Sequence, residues 1–190
     1  MVVLGDSASA GHGLTDADEA LPRRLARALA TGRRVSVRSV AVDGATTASV
    51  LDHQVPHVDG DDVVVVGVGA NDALRGRSAR QVTRDTAAML RGVFLRAPQA
   101  RVVLVTCPDL SVAPRLPDPL RAVVGWRCRS VARAQAAVAD GYGVATVLLT
   151  RDGLVPEMFG RDGFHPGTVG HERLARRVAA EVRKGPTRRV

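Results

Sequence analysis

The run Val63-Val64-Val65-Val66-Gly67-Val68 restricts the fold more than any other stretch of the chain. A strand with one face in water alternates apolar and polar residues, and this run has no polar face to turn outward. It therefore needs cover on both sides, which a parallel sheet obtains from helices laid on each face. The strand closes at Gly69-Ala70-Asn71-Asp72, delivering Asn71 to its carboxyl end. Four further stretches read as strands. Met1-Val2-Val3-Leu4 stops at Gly5, and Val35, Val37 and Val40 alternate with Ser36, Arg38 and Ser39 before Asp43-Gly44-Ala45. Residues 101–106 and 143–149 complete the set.

Helical spacing fills the intervals. Leu21, Leu25, Ala28 and Leu29 recur within residues 16–30, with Pro22 tolerated in the first turn. Thr46 and Thr47 suit the cap of a short helix, and Ser78 suits the cap of a longer one that carries Val82, Met89, Leu90 and Val93 to residue 95. Ala97-Pro98 breaks it. A proline-rich loop over residues 111–119 leads into a long helix over 120–140, and Leu174, Val178 and Val182 mark a last one. Residues 8–13 read as a small-residue loop. The alternation predicts a three-layer α/β/α fold on a parallel sheet with right-handed crossovers. One domain over residues 1–183 accounts for it, followed by a frayed basic tail over 184–190.

The formal charge of +8 raises the question of a nucleic-acid partner. Its distribution argues against one. Lys184 is the single lysine, the arginines come in scattered pairs such as Arg23-Arg24 and Arg176-Arg177, and aromatic residues amount to 3%, too few to stack bases. A solvated basic surface able to contact anionic lipid or acidic polymers is the better account. Cys107 and Cys128 lack the Cys-x-x-Cys spacing of metal or redox sites and are expected as free thiols. The four apolar residues before Gly5 make neither a signal peptide nor a span, so the chain as written is expected in the cytoplasm. A leader upstream of Met1 would direct it to the cell envelope or outside.

In an open α/β sheet, loops at the carboxyl ends of the strands gather at one edge, where ligands bind. Ser7, Gly44, Asn71 and the segment holding His165 each fall just after a strand or late in the chain near one, so one site could hold all four. Ser7 is the candidate nucleophile. Asp162-Gly163-Phe164-His165 sets a carboxylate three residues before an imidazole, so that Asp162 can hold Nδ1–H and leave Nε2 facing outward as a general base. Ser7 and Gly44 can each aim a backbone N–H, and Asn71 a side-chain amide, at an oxyanion. Each group has a plainer use. Gly-Asp-Ser makes strand-ending turns, Asp-x-x-His caps helices, and Asn71 could cap its own turn. Their convergence on one edge favours chemistry.

Gly5-Asp6-Ser7, Gly44, Gly69-x-Asn71-Asp72 and Asp162-x-x-His165-Pro166, in that order, resemble the conserved blocks of the SGNH (GDSL-type) hydrolases. The resemblance implies a flavodoxin-like sheet of five parallel strands, Ser7 as nucleophile, His165 as base and Asp162 as its partner. It also implies an oxyanion hole from Ser7, Gly44 and Asn71, with no cofactor or metal. The activity implied is hydrolysis of carboxylic esters: lipid, small acyl-ester or acetylated-sugar substrates. A thioesterase, an acyltransferase or a non-catalytic binding domain would use the same fold. Ala8 replaces the leucine of the family name, a packing position, and Asp43 before Gly44 alters the local electrostatics.

Other motifs point elsewhere less well. His53 and His57 have metal-pair spacing, but Pro56 interrupts a helix between them. Gly67-x-Gly69 lacks the third glycine of a dinucleotide fingerprint, and no Gly-x-Ser-x-Gly elbow is present. Apolar residues over 110–126, including Val112, Leu116, Leu120, Val123, Val124 and Trp126, together with 154–159, either line an acyl groove or pack on their own helix. Asp109 is expected to face the same cleft.

Overall fold

The computed structural model describes residues 1–32, 34–149 and 153–185. Five strands, β1 (Val2–Gly5), β2 (Arg38–Ser39), β3 (Val63–Gly67), β4 (Arg101–Val105) and β5 (Ala145–Val147), form one sheet in the order β2-β1-β3-β4-β5. Every pairing is parallel. The register sets Gly5 opposite Gly67, Gly67 opposite Val105 and Val105 opposite Val147. Four strands therefore end level, and the loops that follow them open onto one edge.

Among the described residues, seven α-helices connect and cover the sheet: α1 (Ser7–Ala10), α2 (Leu21–Leu29), α3 (Thr47–His53), α4 (Ala70–Leu74), α5 (Ala79–Arg96), α6 (Leu120–Gly141) and α7 (Thr168–Arg183). Successive strand residues point to opposite faces, and the valine runs divide accordingly. Leu4, Val64, Val66 and Leu104 pack with Val50, Met89, Leu90 and Val93 on one side. Val3, Val65, Val103 and Val147 pack with Leu21, Leu25, Ala175 and Val178 on the other. Leu21, Leu25, Met89 and Leu90 are fully buried, each stabilising the fold by about 1.5–3 kcal/mol relative to exposure. The expected three-layer architecture and five-stranded parallel sheet are both present. So are the expected caps, since Thr46 with Ser49 and Ser78 with Gln81 close capping boxes at α3 and α5.

The boundaries differ where a strand has one neighbour or a helix is short. The second strand, expected from Val35 to Val40, pairs over Arg38–Ser39 alone. It lies at the sheet edge, yet Val40 N–H and Val42 N–H still donate to Val3 O and Gly5 O at 3.0 and 3.1 Å, carrying the chain alongside β1 toward Gly44. The fifth strand, expected over 143–149, shortens to three residues for the same edge reason. The helix expected over 16–30 divides at Ala20, which is extended. A 3-10 turn, Ala17–Glu19, precedes it and α2 follows, with Pro22 in the first turn. Residues 8–13, expected as a loop, begin inside α1. Of the expected tail, residues 186–190 lie outside the described residues.

Candidate active site

β1 delivers Ser7 abruptly. Gly5 has φ +151°, and a Cβ there would stand 2.1 Å from Gly67 O and 2.4 Å from Ser9 Oγ, so no other residue fits between the strand and α1. Asp6 then caps α1, its Oδ1 accepting Ala8 N–H at 3.1 Å, which places Ser7 as the first helical residue. Burial pushes the Asp6 carboxyl up to about 7 against the opposing hydrogen bond from Ala8. Gln54, the buried C-cap of α3, fixes the strand terminus from the other side. Its Oε1 accepts Gly5 N–H at 2.7 Å and its Nε2 donates to Gly5 O at 2.8 Å.

His165 reaches Ser7 from the far end of the chain. Its Nε2 lies 3.0 Å from Ser7 Oγ, and its Nδ1 lies 2.5 Å from Asp162 Oδ2. The other oxygen, Asp162 Oδ1, accepts the backbone N–H groups of Phe164 and His165, each at 3.0 Å. Burial works against the Asp162 charge, but the bonds from His165 and these two amides outweigh it and hold the carboxyl at about 2. An ionised Asp162 takes Nδ1–H, so the Nε2 lone pair faces the Ser7 hydroxyl. The loop is itself held, since Gly160 N–H donates to His165 O at 2.7 Å and Arg115 N–H to Gly163 O at 3.0 Å. Phe164 stands edge-on to the His165 ring, centroids 5.2 Å apart.

Gly44 and Asn71 are tied to each other. Asn71 Nδ2 donates to Ala45 O at 3.1 Å, which engages one of its two amide hydrogens. The adjoining Asp72 is fully buried and accepts both the N–H and the hydroxyl of Thr47, at 2.9 and 3.0 Å. Arg75 donates to Gly44 O at 2.9 Å, and Gly44 turns at φ +74°. The N–H groups of Ser7 and Gly44 carry no hydrogen bond among the described residues. Ser7 Oγ, His165 and Asp162 thus form one hydrogen-bonded series, and the N–H groups of Ser7 and Gly44 are unspent.

Sequence reasoning missed the buried amides that level these loops. Besides Gln54, Gln135 on α6 accepts Cys107 N–H at 2.8 Å and donates to Val68 O at 2.9 Å, bracing the ends of β3 and β4. The available signal was a glutamine on the apolar face of a helix, in step with Cys128, Val131 and Ala139. It also missed His12, in the loop after α1, whose ring centroid is 4.6 Å from that of His165.

The expected apolar segments divide. Leu116, Pro117, Leu120 and Phe164 line an open groove of about 560 Å³ beside Asp162 and His165. Leu110, Leu154, Met158 and Phe159 line a separate cavity of about 100 Å³, bordered by Asp6 and Ala8 on either side of Ser7. Val124 is buried in the core, whereas Val123 and Trp126 face solvent. Asp109 borders neither space: it caps the 3-10 turn Leu110–Val112 and pairs with Arg129 at 3.0 Å. His53 and His57 are exposed at the end of α3 and in the next turn. Cys107 and Cys128 are buried and unbridged. No helix among the described residues is long and apolar enough to cross a membrane.

Comparison with known proteins adds independent information. The GDSL-like Lipase/Acylhydrolase family matches residues 3–173. A GDSL-like esterase of Mycobacterium tuberculosis is 31% identical over the whole of this chain, which spans 63% of that relative's length. Among solved structures, TesA is 26% identical with a TM-score of 0.76, the match covering 96% of this chain and 97% of that one. The lipase/acylhydrolase from Enterococcus faecalis shares the fold, with a TM-score of 0.77 at 23% identity over 99% and 98% of the two chains.

Proposed function

Since the chain belongs to the GDSL-like lipase/acylhydrolase family, we propose that it hydrolyses carboxylic esters through an acyl-enzyme on Ser7. The observation that carries this reading is the hydrogen-bonded series from Ser7 Oγ to His165 Nε2 at 3.0 Å and from His165 Nδ1 to Asp162 at 2.5 Å. His165 takes the Ser7 proton as Oγ attacks the ester carbonyl carbon. The oxyanion is received by the N–H groups of Ser7 and Gly44 and by the free amide hydrogen of Asn71, while Asp162 stabilises the imidazolium. Collapse breaks the bond to the alcohol oxygen, which leaves with the proton from Nε2. Water then attacks the acyl-enzyme with His165 again as base, releasing the acid and restoring the serine. We treat residues 1–183 as one catalytic unit, because the nucleophile and the base come from its two ends, 158 residues apart.

The groove beside His165 is apolar and open, which suits an acyl chain laid along the surface and leaves lipid, small acyl-ester and acetylated-sugar substrates within the class. The test is turnover of a series of p-nitrophenyl esters from acetate upward, with fluorophosphonate labelling, for the parent and Ser7→Ala. Labelling and turnover in the parent, both abolished in Ser7→Ala, are the expected result. A parent that neither turns over nor labels rejects the enzyme reading, and residual parent-like activity in Ser7→Ala rejects the nucleophile. Preference for thioesters, or transfer of the acyl group to an added alcohol, would reassign the reaction while keeping the same residues.

A further inference from the structure

A second histidine–aspartate pair stands beside the first. His12 Nδ1 lies 2.9 Å from Asp43 Oδ2, with 54% and 58% of the two side chains exposed. His12 N–H donates to Ser7 O at 2.9 Å, which fixes this loop to the nucleophile's own helix. Asp43 immediately precedes Gly44. The pair thus joins the two loops that flank the serine, on the side of His165 where the rings of His12 and His165 approach to 4.6 Å.

Stability does not account for it, because an ion pair this exposed is worth about 0–1 kcal/mol. With Nδ1–H engaged by Asp43, Nε2 of the neutral His12 ring carries a lone pair and has no partner among the described residues, and the exposed ring stands next to that of His165. Phe164 occupies another face of the same His165 ring, so the base has one apolar and one polar neighbour. The departing oxygen of an ester must sit at His165 Nε2 to take its proton. The alcohol half of the substrate then departs from a base whose ring has His12 as its polar neighbour.

We propose that His12, held by Asp43, is the binding element for the alcohol half of the substrate, its Nε2 accepting a hydrogen bond from a free hydroxyl of a polyol or sugar. The inference rests on the ester-hydrolase reading and narrows it to esters of hydroxyl-rich alcohols. The acyl group is then recognised by apolar surface and the alcohol by this polar pair.

The test compares two esters sharing one acyl group, p-nitrophenyl acetate and glycerol monoacetate, as the ratio of their kcat/KM values in the parent, His12→Ala, His12→Gln, Asp43→Asn and Asp43→Leu. One lost hydrogen bond to the hydroxylated ester lowers the glycerol-over-nitrophenyl ratio about tenfold in His12→Ala, through KM. Asp43→Leu, which frees the ring, gives a similar fall. His12→Gln and Asp43→Asn, which retain an acceptor and the ring's anchor respectively, recover most of the ratio. Fluorophosphonate labelling of each variant establishes that Ser7 is intact. A ratio unchanged in His12→Ala, or a fall in kcat equal for both esters, overturns the proposal, the second outcome assigning His12 to the support of His165. A parent that hydrolyses neither ester overturns the underlying reading together with it.

Discussion

Two histidine–aspartate pairs meet at one serine, and they are built differently. In the first, 19% of the His165 side chain and 30% of the Asp162 side chain are exposed, and Asp162 spends its second oxygen on two backbone amides of its own loop. In the second, more than half of both His12 and Asp43 is in water, and no backbone amide holds the Asp43 carboxylate among the described residues. The chemistry of the partners is the same. The contrast lies in the anchoring of the carboxylate: two amides on Asp162 fix the direction of the His165 ring, which suits the base we propose, whereas the Asp43 carboxylate gives the His12 ring no such support.

The sharpest way to break this comparison is to remove each carboxylate's charge. Asp162→Asn should lower kcat on p-nitrophenyl acetate by about 10⁴-fold, the scale seen when a buried orienting aspartate is neutralised. Asp43→Asn should change that kcat less than about threefold. Equal losses in steady-state assays would erase the distinction. Asn71→Ala, which removes the side-chain amide we propose as an oxyanion donor but touches neither pair, should lower kcat by about 10²–10³-fold with little change in KM.

Stability measurements sharpen the same contrast. Gln54→Leu removes both of its bonds to Gly5 and should cost about 1–3 kcal/mol in urea unfolding, since the buried Gly5 N–H loses its partner while Gly5 O keeps that of Val42. A third histidine, His171 on α7, is fully buried, and its ring nitrogens have no partner among the described residues. Burial first, and the Arg24 charge second, push its pKa from 6.5 down to about 4. Below pH 6.5 the unfolded chain binds a proton that the folded chain refuses, so the folded state loses stability as pH falls from 6.5 to about 4. The total loss is on the order of 3 kcal/mol. His171→Leu should flatten that part of the urea-midpoint profile; an unchanged slope would place the acid sensitivity elsewhere. His12→Ala should shift the unfolding free energy by less than about 1 kcal/mol, the smallest effect of the series.

Much of the fold was legible because burial on both faces leaves a mark in composition. The valines of β3 and the hydroxyl caps of α3 and α5 carry their structural reasons within a few residues. α1 and α4 do not. At four and five residues they are too short for a 3.6-residue period to register, and a strand-ending glycine before each resembles a loop. The candidate site divided the same way. Ser7 and Asn71 were readable as residue types just after strands that end level, Gly44 as a turn glycine beyond the second strand, and Asp162 and His165 as a spaced pair late in the chain. Gln54, Gln135 and the His12–Asp43 pair were not, because each acts across a distance in the chain that no local pattern encodes. Asp109 gave the opposite error: its place after β4 pointed to the cleft, and Arg129 on α6 drew it away.

The 158 residues between Ser7 and His165 have a consequence for how the protein is made. His165 follows all five strands in the chain, so its contact with Ser7 forms only once the whole sheet has been synthesised. On the ester-hydrolase reading proposed above, the serine acquires its base at that step of assembly.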